Sequence, residues 1–141
     1  MEHRFEIFAD YLQSYLQDDD INATDHMQDW SDEAVERLLI TGSHAIGVGT
    51  VRKMIVPVSL RICEARPDIA DAGFERINEC AIQIETGRLV ISGCSEYFPD
   101  AARIDLAPGT YNTMIGYKGL DTLSDDRLEG DDSYHIFLWR Q

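Results

Sequence analysis

The feature that most constrains the fold of this chain is a two-residue alternation of apolar and polar side chains. From residue 54 to residue 62, every second position is apolar, and the same period recurs in several other segments. Because successive side chains of a β-strand point to opposite faces of its sheet, this period predicts strands. We predict about eight of them: 5–17 (with a bend or bulge near 10–13), 45–50, 53–63, 74–84, 89–94, 103–106, 111–117 and 133–140.

Three local signals predict how these strands are arranged. Pro57 cannot donate a hydrogen bond, so it predicts an edge or bulged position for the strand that contains it. Residues 85–88, with Gly87, resemble a hairpin turn. Residues 133–140 are apolar on both faces, so we expect this strand to be central and well covered.

A single stretch has helical spacing instead. The apolar residues from Trp30 to Leu39 share one helical face, and Ser31 is a suitable N-cap before two acidic residues. Trp30 can pack back as a hydrophobic staple, and Thr41 with Gly42 is expected to end the helix. The helix either covers one end of a β domain or also offers its polar face to a partner. Together these patterns predict a mainly β fold: an antiparallel β-sandwich of about eight strands with one short helix, forming a single domain over residues 1–141.

The charge balance limits the classes of partner. The chain has 141 residues, with 12 basic and 26 acidic side chains and a formal net charge of −14. Such a chain repels nucleic acid and anionic membranes, and its charge exceeds the 2–8 units or so that solubility requires. It suits a basic protein partner or a cation.

The start of the chain lacks a secretory signal pattern, and the three cysteines lack metal-site or disulfide spacing, so we expect a cytoplasmic protein.

No constellation in the sequence predicts catalysis. The four histidines are scattered without metal-ligand spacing, no serine has a nucleophile-elbow context, and the glycines form no phosphate loop. We therefore expect no cofactor, no metal site and no enzymatic activity.

The strongest local anomaly is an acidic segment late in the chain. Residues 121–132 hold six acids and one base. Three interpretations remain open: a solvated loop, an acidic prong that docks on a basic cleft, or a weak calcium site within loop 119–132. The candidate partner-binding residues come from the helix and from this segment: Asp29, Trp30, Asp32, Glu33, Glu36, Asp121, Asp125, Asp126, Glu129, Asp131 and Asp132.

Two stretches resemble the competence protein J family. Residues 29–36 read Asp-Trp-Ser-Asp-Glu-Ala-Val-Glu and are followed by a glycine-containing strand that ends near Arg52. Residues 106–111 resemble the family's Leu-Pro-x-Gly-x-Tyr turn, and a last strand again follows a polar loop. The acidic segment 121–132 is longer and more charged than the family pattern.

The resemblance implies a non-catalytic protein that inhibits a DNA-entry nuclease. Because a cleft that grips DNA is basic, an acidic domain could occupy it. The departure in segment 121–132 leaves the partner open between a nuclease, a toxin and another basic protein. One alternative is a β-sandwich module that binds a small ligand, carbohydrate or calcium, with Tyr97 and Phe98 as its platform. A hydrolase with an unrecognised site is the third possibility.

Overall fold

The computed structural model describes residues 2–141, and this part of the chain contains ten strands in two five-stranded sheets. The strands are β1 (Glu2–Phe8), β2 (Gln13–Asp18), β3 (Leu39–Thr41), β4 (Ala45–Gly49), β5 (Ile55–Cys63), β6 (Arg76–Ile84), β7 (Arg88–Gly93), β8 (Ala102–Asp105), β9 (Gly109–Lys118) and β10 (Ser133–Arg140). Among the described residues there is one α-helix, α1 (Asp32–Arg37), which precedes β3. The predicted sandwich fold is confirmed.

The first sheet has the order β1-β5-β10-β9-β6, and the second has the order β3-β4-β2-β7-β8. Strands β5 and β10 pair in parallel, and the other strand pairs within residues 2–141 are antiparallel. The main apolar core lies between the sheets, with Leu60 and Ile136 of the first sheet packed in one cluster with Leu16 and Ile46 of the second. No helix within residues 2–141 is long and apolar enough to span a membrane.

The last strand occupies the centre of the first sheet, as its sequence predicted. Ile136 and Leu138 are buried in the main core, while Phe137 and Trp139 face the other side. That outer side is covered by the connection between β5 and β6, whose Ile69 and Phe74 pack on Met114 and its neighbours. Burial on both faces explains why β10 lacks the usual polar alternation.

The count of ten strands exceeds the predicted eight for two reasons. The predicted bend near residue 10 is real: a 3₁₀ turn, Asp10–Leu12, divides the first strand and carries the chain from one sheet to the other. Strand β3 lies where we expected the end of the helix. The helix ends at Leu38, which adopts a left-handed conformation with φ 64° and donates its N–H to Ala34. The predicted stop at Thr41 and Gly42 was therefore wrong.

The predicted hairpin at residues 85–88 was also wrong. Gly87 has the expected positive φ of 83°, but β6 belongs to the first sheet and β7 to the second, so the turn is an arch between the sheets. The buried carboxylate of Asp18 accepts hydrogen bonds from the Glu85 N–H (2.9 Å), the Thr86 N–H (3.1 Å) and the Thr86 hydroxyl. A distant residue therefore holds the turn in this arched form.

Pro57 lies in an internal strand and not at a sheet edge. Strand β5 is placed between β1 and β10, but β10 begins to pair with it only at Val58. Pro57 therefore has a cross-strand partner, Glu6, on one side only, which is compatible with its missing N–H. The predicted strand 89–94 is one residue too long at its end, because β7 stops at Gly93 and Cys94 is exposed just after it.

Candidate functional site

The helix α1 presents most of its surface to solvent. The Ser31 hydroxyl accepts from the Ala34 N–H at 3.2 Å, as expected for an N-cap, and Ala34 is the one buried residue of the helix. Trp30 is half-buried and donates its indole N–H to the hydroxyl of Tyr15 in β2 at 3.1 Å. That contact ties Trp30 to the second sheet. The helical acids Asp32, Glu33 and Glu36 are exposed, and so is Asp29, which precedes the helix.

The late acidic segment is an ordered loop closed by its own hydrogen bonds. The Ser124 N–H donates to the Glu129 carbonyl at 2.8 Å, and the Asp131 N–H donates to the Thr122 hydroxyl at 2.8 Å. Asp126 accepts from the Ser124 hydroxyl and the Leu128 N–H, and these bonds, the first above all, lower the pKa of the Asp126 carboxyl. The loop therefore presents its acids from a defined backbone.

Asp132 differs from the other acids of this loop because it is buried. Its carboxylate accepts from Arg52 Nε at 2.8 Å and from the Tyr134 hydroxyl at 2.7 Å, and the Tyr134 hydroxyl in turn accepts from the Val51 N–H. Asp132 thus anchors the end of the loop to the core. In contrast, Asp121, Asp125, Asp126, Glu129 and Asp131 are exposed. Within residues 2–141, none of these five carboxylates lies within 4.0 Å of a basic side chain, and the same holds for Asp29 and the three acids of the helix.

The fold brings the two acidic segments to the same end of the sandwich. At the end of the helix, Asn78 of β6 donates to the Arg37 carbonyl at 2.8 Å, and the Tyr117 hydroxyl of β9 donates to the Leu38 carbonyl at 2.8 Å. At the start of the loop, the Glu75 carboxylate accepts from the Gly119 N–H at 2.8 Å. Because these contacts come from one end of neighbouring strands β6 and β9, the C-terminal end of the helix and the start of the loop lie at the same end of the sandwich.

Tyr97 and Phe98, the aromatic residues of the alternative ligand platform, do not present two solvent-exposed rings to a ligand. Tyr97 is 69% exposed, but the guanidinium of Arg103 lies over the Phe98 ring, 4.9 Å from its centroid. Arg103 also donates to the Phe98 carbonyl and pairs with Asp19. Within residues 2–141, no group of three or more His, Cys, Asp or Glu side chains is arranged to hold a metal ion.

Two exposed apolar residues at the first turn were missed by the sequence analysis. Tyr11 is 65% exposed and Leu12 is 42% exposed, and both have left-handed backbone conformations. They face α1 across a shallow cavity that Trp30 and Val35 also line. The alternating pattern predicted a strand through this region, with a bend or bulge near residues 10–13. No feature of the sequence indicated that these two side chains are exposed to solvent.

The comparisons with known proteins agree with this architecture. No protein-family model matches the chain, and no curated protein matches it in sequence. Among solved structures, ComJ from Bacillus subtilis, described as the inhibitor of the DNA-degrading activity of NucA, superposes with a TM-score of 0.70 at 18% identity, covering 100% of this chain and 96% of ComJ. A structure described as crocagin biosynthetic gene J superposes with a TM-score of 0.63 at 18% identity, covering 100% of this chain and 99% of the other.

These values establish a shared fold along the whole chain. The sequence identity is too low to transfer an activity or a set of contact residues. The chain therefore has the fold of ComJ, and the resemblance to the competence protein J family that the sequence motifs indicated is confirmed at the level of the fold.

Proposed function

We propose that this protein is a non-catalytic inhibitor that binds a nuclease and occupies its basic, DNA-gripping cleft. The observation that carries the proposal is the superposition with ComJ, which covers 100% of this chain and 96% of ComJ. The second support is electrostatic, since the chain has a formal net charge of −14 and two exposed acidic segments at one end of the sandwich. A surface of this sign complements a cleft that holds a phosphate backbone.

The proposed contact surface consists of the exposed acids just before α1, within α1 and in the late loop: Asp29, Asp32, Glu33, Glu36, Asp121, Asp125, Asp126, Glu129 and Asp131. Asp132 is left out because its carboxylate is buried and paired with Arg52. Rim charges of this kind mainly raise the rate of association, and their effect weakens as salt screens them.

A capture experiment tests the proposal. The immobilised protein is incubated with an extract of cells of its own species and, separately, with purified NucA, and DNA-degrading activity is measured in the unbound and eluted fractions. We expect the wild-type protein to deplete nuclease activity from at least one of these samples at about 0.05 M salt and to release it at about 0.5 M salt. If no DNA-degrading activity binds in either sample, the proposed function is wrong.

A charge-reversal pair then tests the acidic surface. Asp125→Lys with Asp131→Lys changes the net charge from −14 to −10, because each reversal adds two units. The matched control, Glu64→Lys with Asp71→Lys, makes the same change in the exposed connection between β5 and β6. We expect the loop variant to weaken binding about 10-fold or more at low salt and the control to change it little. Equal losses of affinity in both variants would show that binding depends on the net charge of the protein and not on the acids of the late loop.

A further inference from the structure

The first inter-sheet turn builds an exposed apolar surface beside the acidic helix. Tyr11, Leu12, Trp30 and Val35, hereafter the turn surface, line a cavity of about 110 Å³ between this turn and α1. Val35 is an apolar residue of α1, yet it is 53% exposed, because the helix buries only Ala34. An apolar side chain that a short helix leaves in solvent, next to an exposed tyrosine and leucine, is typical of a surface that another protein covers.

Tyr11 and Leu12 are exposed from a turn whose backbone has an energetically unfavourable conformation at both residues. Tyr11 has φ 56° and Leu12 has φ 61°, both in the left-handed region that residues with a bulky Cβ substituent avoid. Hydrogen bonds keep the turn in place: the Leu12 N–H donates to the Ala9 carbonyl at 3.1 Å, and the Thr50 N–H donates to the Leu12 carbonyl at 3.0 Å. The fold thus tolerates two strained residues whose side chains contribute little to the core. Strain of this kind is concentrated at functional positions in proteins.

The charges around the turn surface are mainly acidic. Asp29 and Asp32 are exposed beside Trp30 and Val35, and Asp32 lies three residues before Val35, on the same helical face. The base beside the turn, Lys53, lies 5.3 Å from the centroid of the Tyr11 ring and 3.5 Å from the Asp10 carboxylate, so its charge is locally compensated. An apolar centre with an acidic rim has the anatomy of a protein interface whose partner is apolar in the middle and basic around it.

The turn surface also continues toward the late acidic loop. Thr50, which lines the same cavity, donates its hydroxyl to the Arg52 carbonyl, and Arg52 binds Asp132 and the Leu128 carbonyl. Segment 50–52 therefore lies between the turn surface and the base of the loop. One partner could contact the turn, the helix and the loop together.

We propose that the turn surface is the apolar anchor through which this protein binds its nuclease partner, while the acids of α1 and the late loop guide the basic cleft into place. This inference rests on the proposed function, since it takes the occupant to be a basic protein that grips DNA. It assigns most of the binding energy to Tyr11 and its apolar neighbours, and it gives the carboxylates the smaller, salt-sensitive part.

The test is a pair of substitutions that the turn can accommodate. Asparagine tolerates left-handed backbone better than most residues, so Tyr11→Asn and Leu12→Asn remove the apolar side chains and leave the turn geometry favourable. The matched control is Tyr97→Asn, at a tyrosine of similar exposure (69%) next to the 3₁₀ turn before β8. Thermal unfolding of each variant shows whether the fold is retained.

Two quantities are measured for each nuclease that the capture experiment identifies, whether it comes from the cell extract or is NucA. They are the dissociation constant of its complex with each variant and the extent to which the variant inhibits its degradation of DNA. We expect Tyr11→Asn to weaken binding about 30-fold, as loss of an interface anchor does, with an unchanged dependence on salt. The control should weaken binding less than about twofold. By contrast, Asp125→Lys with Asp131→Lys should reduce the salt dependence itself.

Each outcome separates the two proposals. If the wild-type protein binds a nuclease and the folded Tyr11→Asn and Leu12→Asn variants bind within about threefold of it, the turn surface is not the anchor and the proposed function stands. If the wild-type protein binds no nuclease, both proposals are wrong. Loss of binding in Tyr97→Asn equal to that in Tyr11→Asn would also overturn the assignment of the anchor.

Discussion

Replacing Asp132 by alanine should destabilise the protein far more than the same change at its neighbour Asp131. The Asp132 side chain is 0% exposed and that of Arg52 is 12% exposed, so the substitution leaves a nearly buried guanidinium without its carboxylate. It also removes the acceptor of the Tyr134 hydroxyl, a group in a side chain that is itself fully buried. Asp131, by contrast, is exposed and pairs with no base within residues 2–141.

The size of the effect follows from these contacts. Removing one partner of a buried ion pair costs about 3–5 kcal/mol, because the remaining charge stays in a medium that solvates it poorly. For a chain of this length, that corresponds to a fall in melting temperature of about 10–15 °C. Asp131→Ala should stay within about 0.5 kcal/mol of the wild-type free energy of unfolding. Tyr134→Phe, which breaks the bonds to Asp132 and to the Val51 N–H but leaves the ion pair, should cost about 1–3 kcal/mol.

Urea unfolding followed by tryptophan fluorescence measures all three variants. The slopes of the unfolding curves should agree with that of the wild-type protein, so that the midpoints report the free energy of unfolding directly. A free energy of unfolding for Asp132→Ala within about 1 kcal/mol of the wild-type value would contradict a buried ion pair between Asp132 and Arg52. It would mean that solvent reaches Arg52 and that the loop is not anchored through the core.

Three further predictions concern the rest of the sandwich. Desolvation, and after it the nearby Lys118 charge, lowers the pKa of His135, so this imidazole binds a proton more readily in the unfolded chain than in the folded one. The free energy of unfolding should therefore fall as the pH drops below about 6.5, and an NMR titration of the folded protein should give a pKa for His135 below that of a free histidine. Burial raises the pKa of Cys80 to about 12, so alkylation of the folded protein near pH 8 should modify the exposed Cys94 and spare Cys80, as peptide mass analysis would show. A Cβ added at Gly49 would lie 2.8 Å from the Leu38 Cα, so Gly49→Ala should destabilise the protein by about 1–3 kcal/mol in urea unfolding, and no measurable loss would contradict this packing.

Much of the secondary structure followed from nearest-neighbour patterns in the sequence. The two-residue period located most strands, because the pleat of a strand alternates its side chains whatever its partner. The apolar character of both faces of β10 indicated its central place, since it has a strand on either side and a covered outer face. Ser31 marked the start of the helix because an N-cap acts on the adjacent turn alone.

The pairing of strands and the burial of particular acids were decided by tertiary contacts. Residues 85–88 have the composition of a hairpin, yet Asp18, far away in sequence, binds the turn in an arch that joins the two sheets. Likewise, nothing local distinguishes Asp132 from Asp131. Asp132 is buried because Arg52, 80 residues away in the sequence, and the Tyr134 hydroxyl both bind its carboxylate, whereas Asp131 remains in solvent.

The candidate site divides in the same way. The excess of negative charge, the two acidic segments and the local periods of the strands follow from the sequence alone, because they depend on residue type and spacing. Contacts between distant residues place the end of α1 and the start of the late loop at one end of the sandwich, and they leave Tyr11 and Leu12 exposed beside the helix. The physical reason is that strand pairing and burial are set by contacts between residues far apart in the chain, and a local pattern carries no record of those partners.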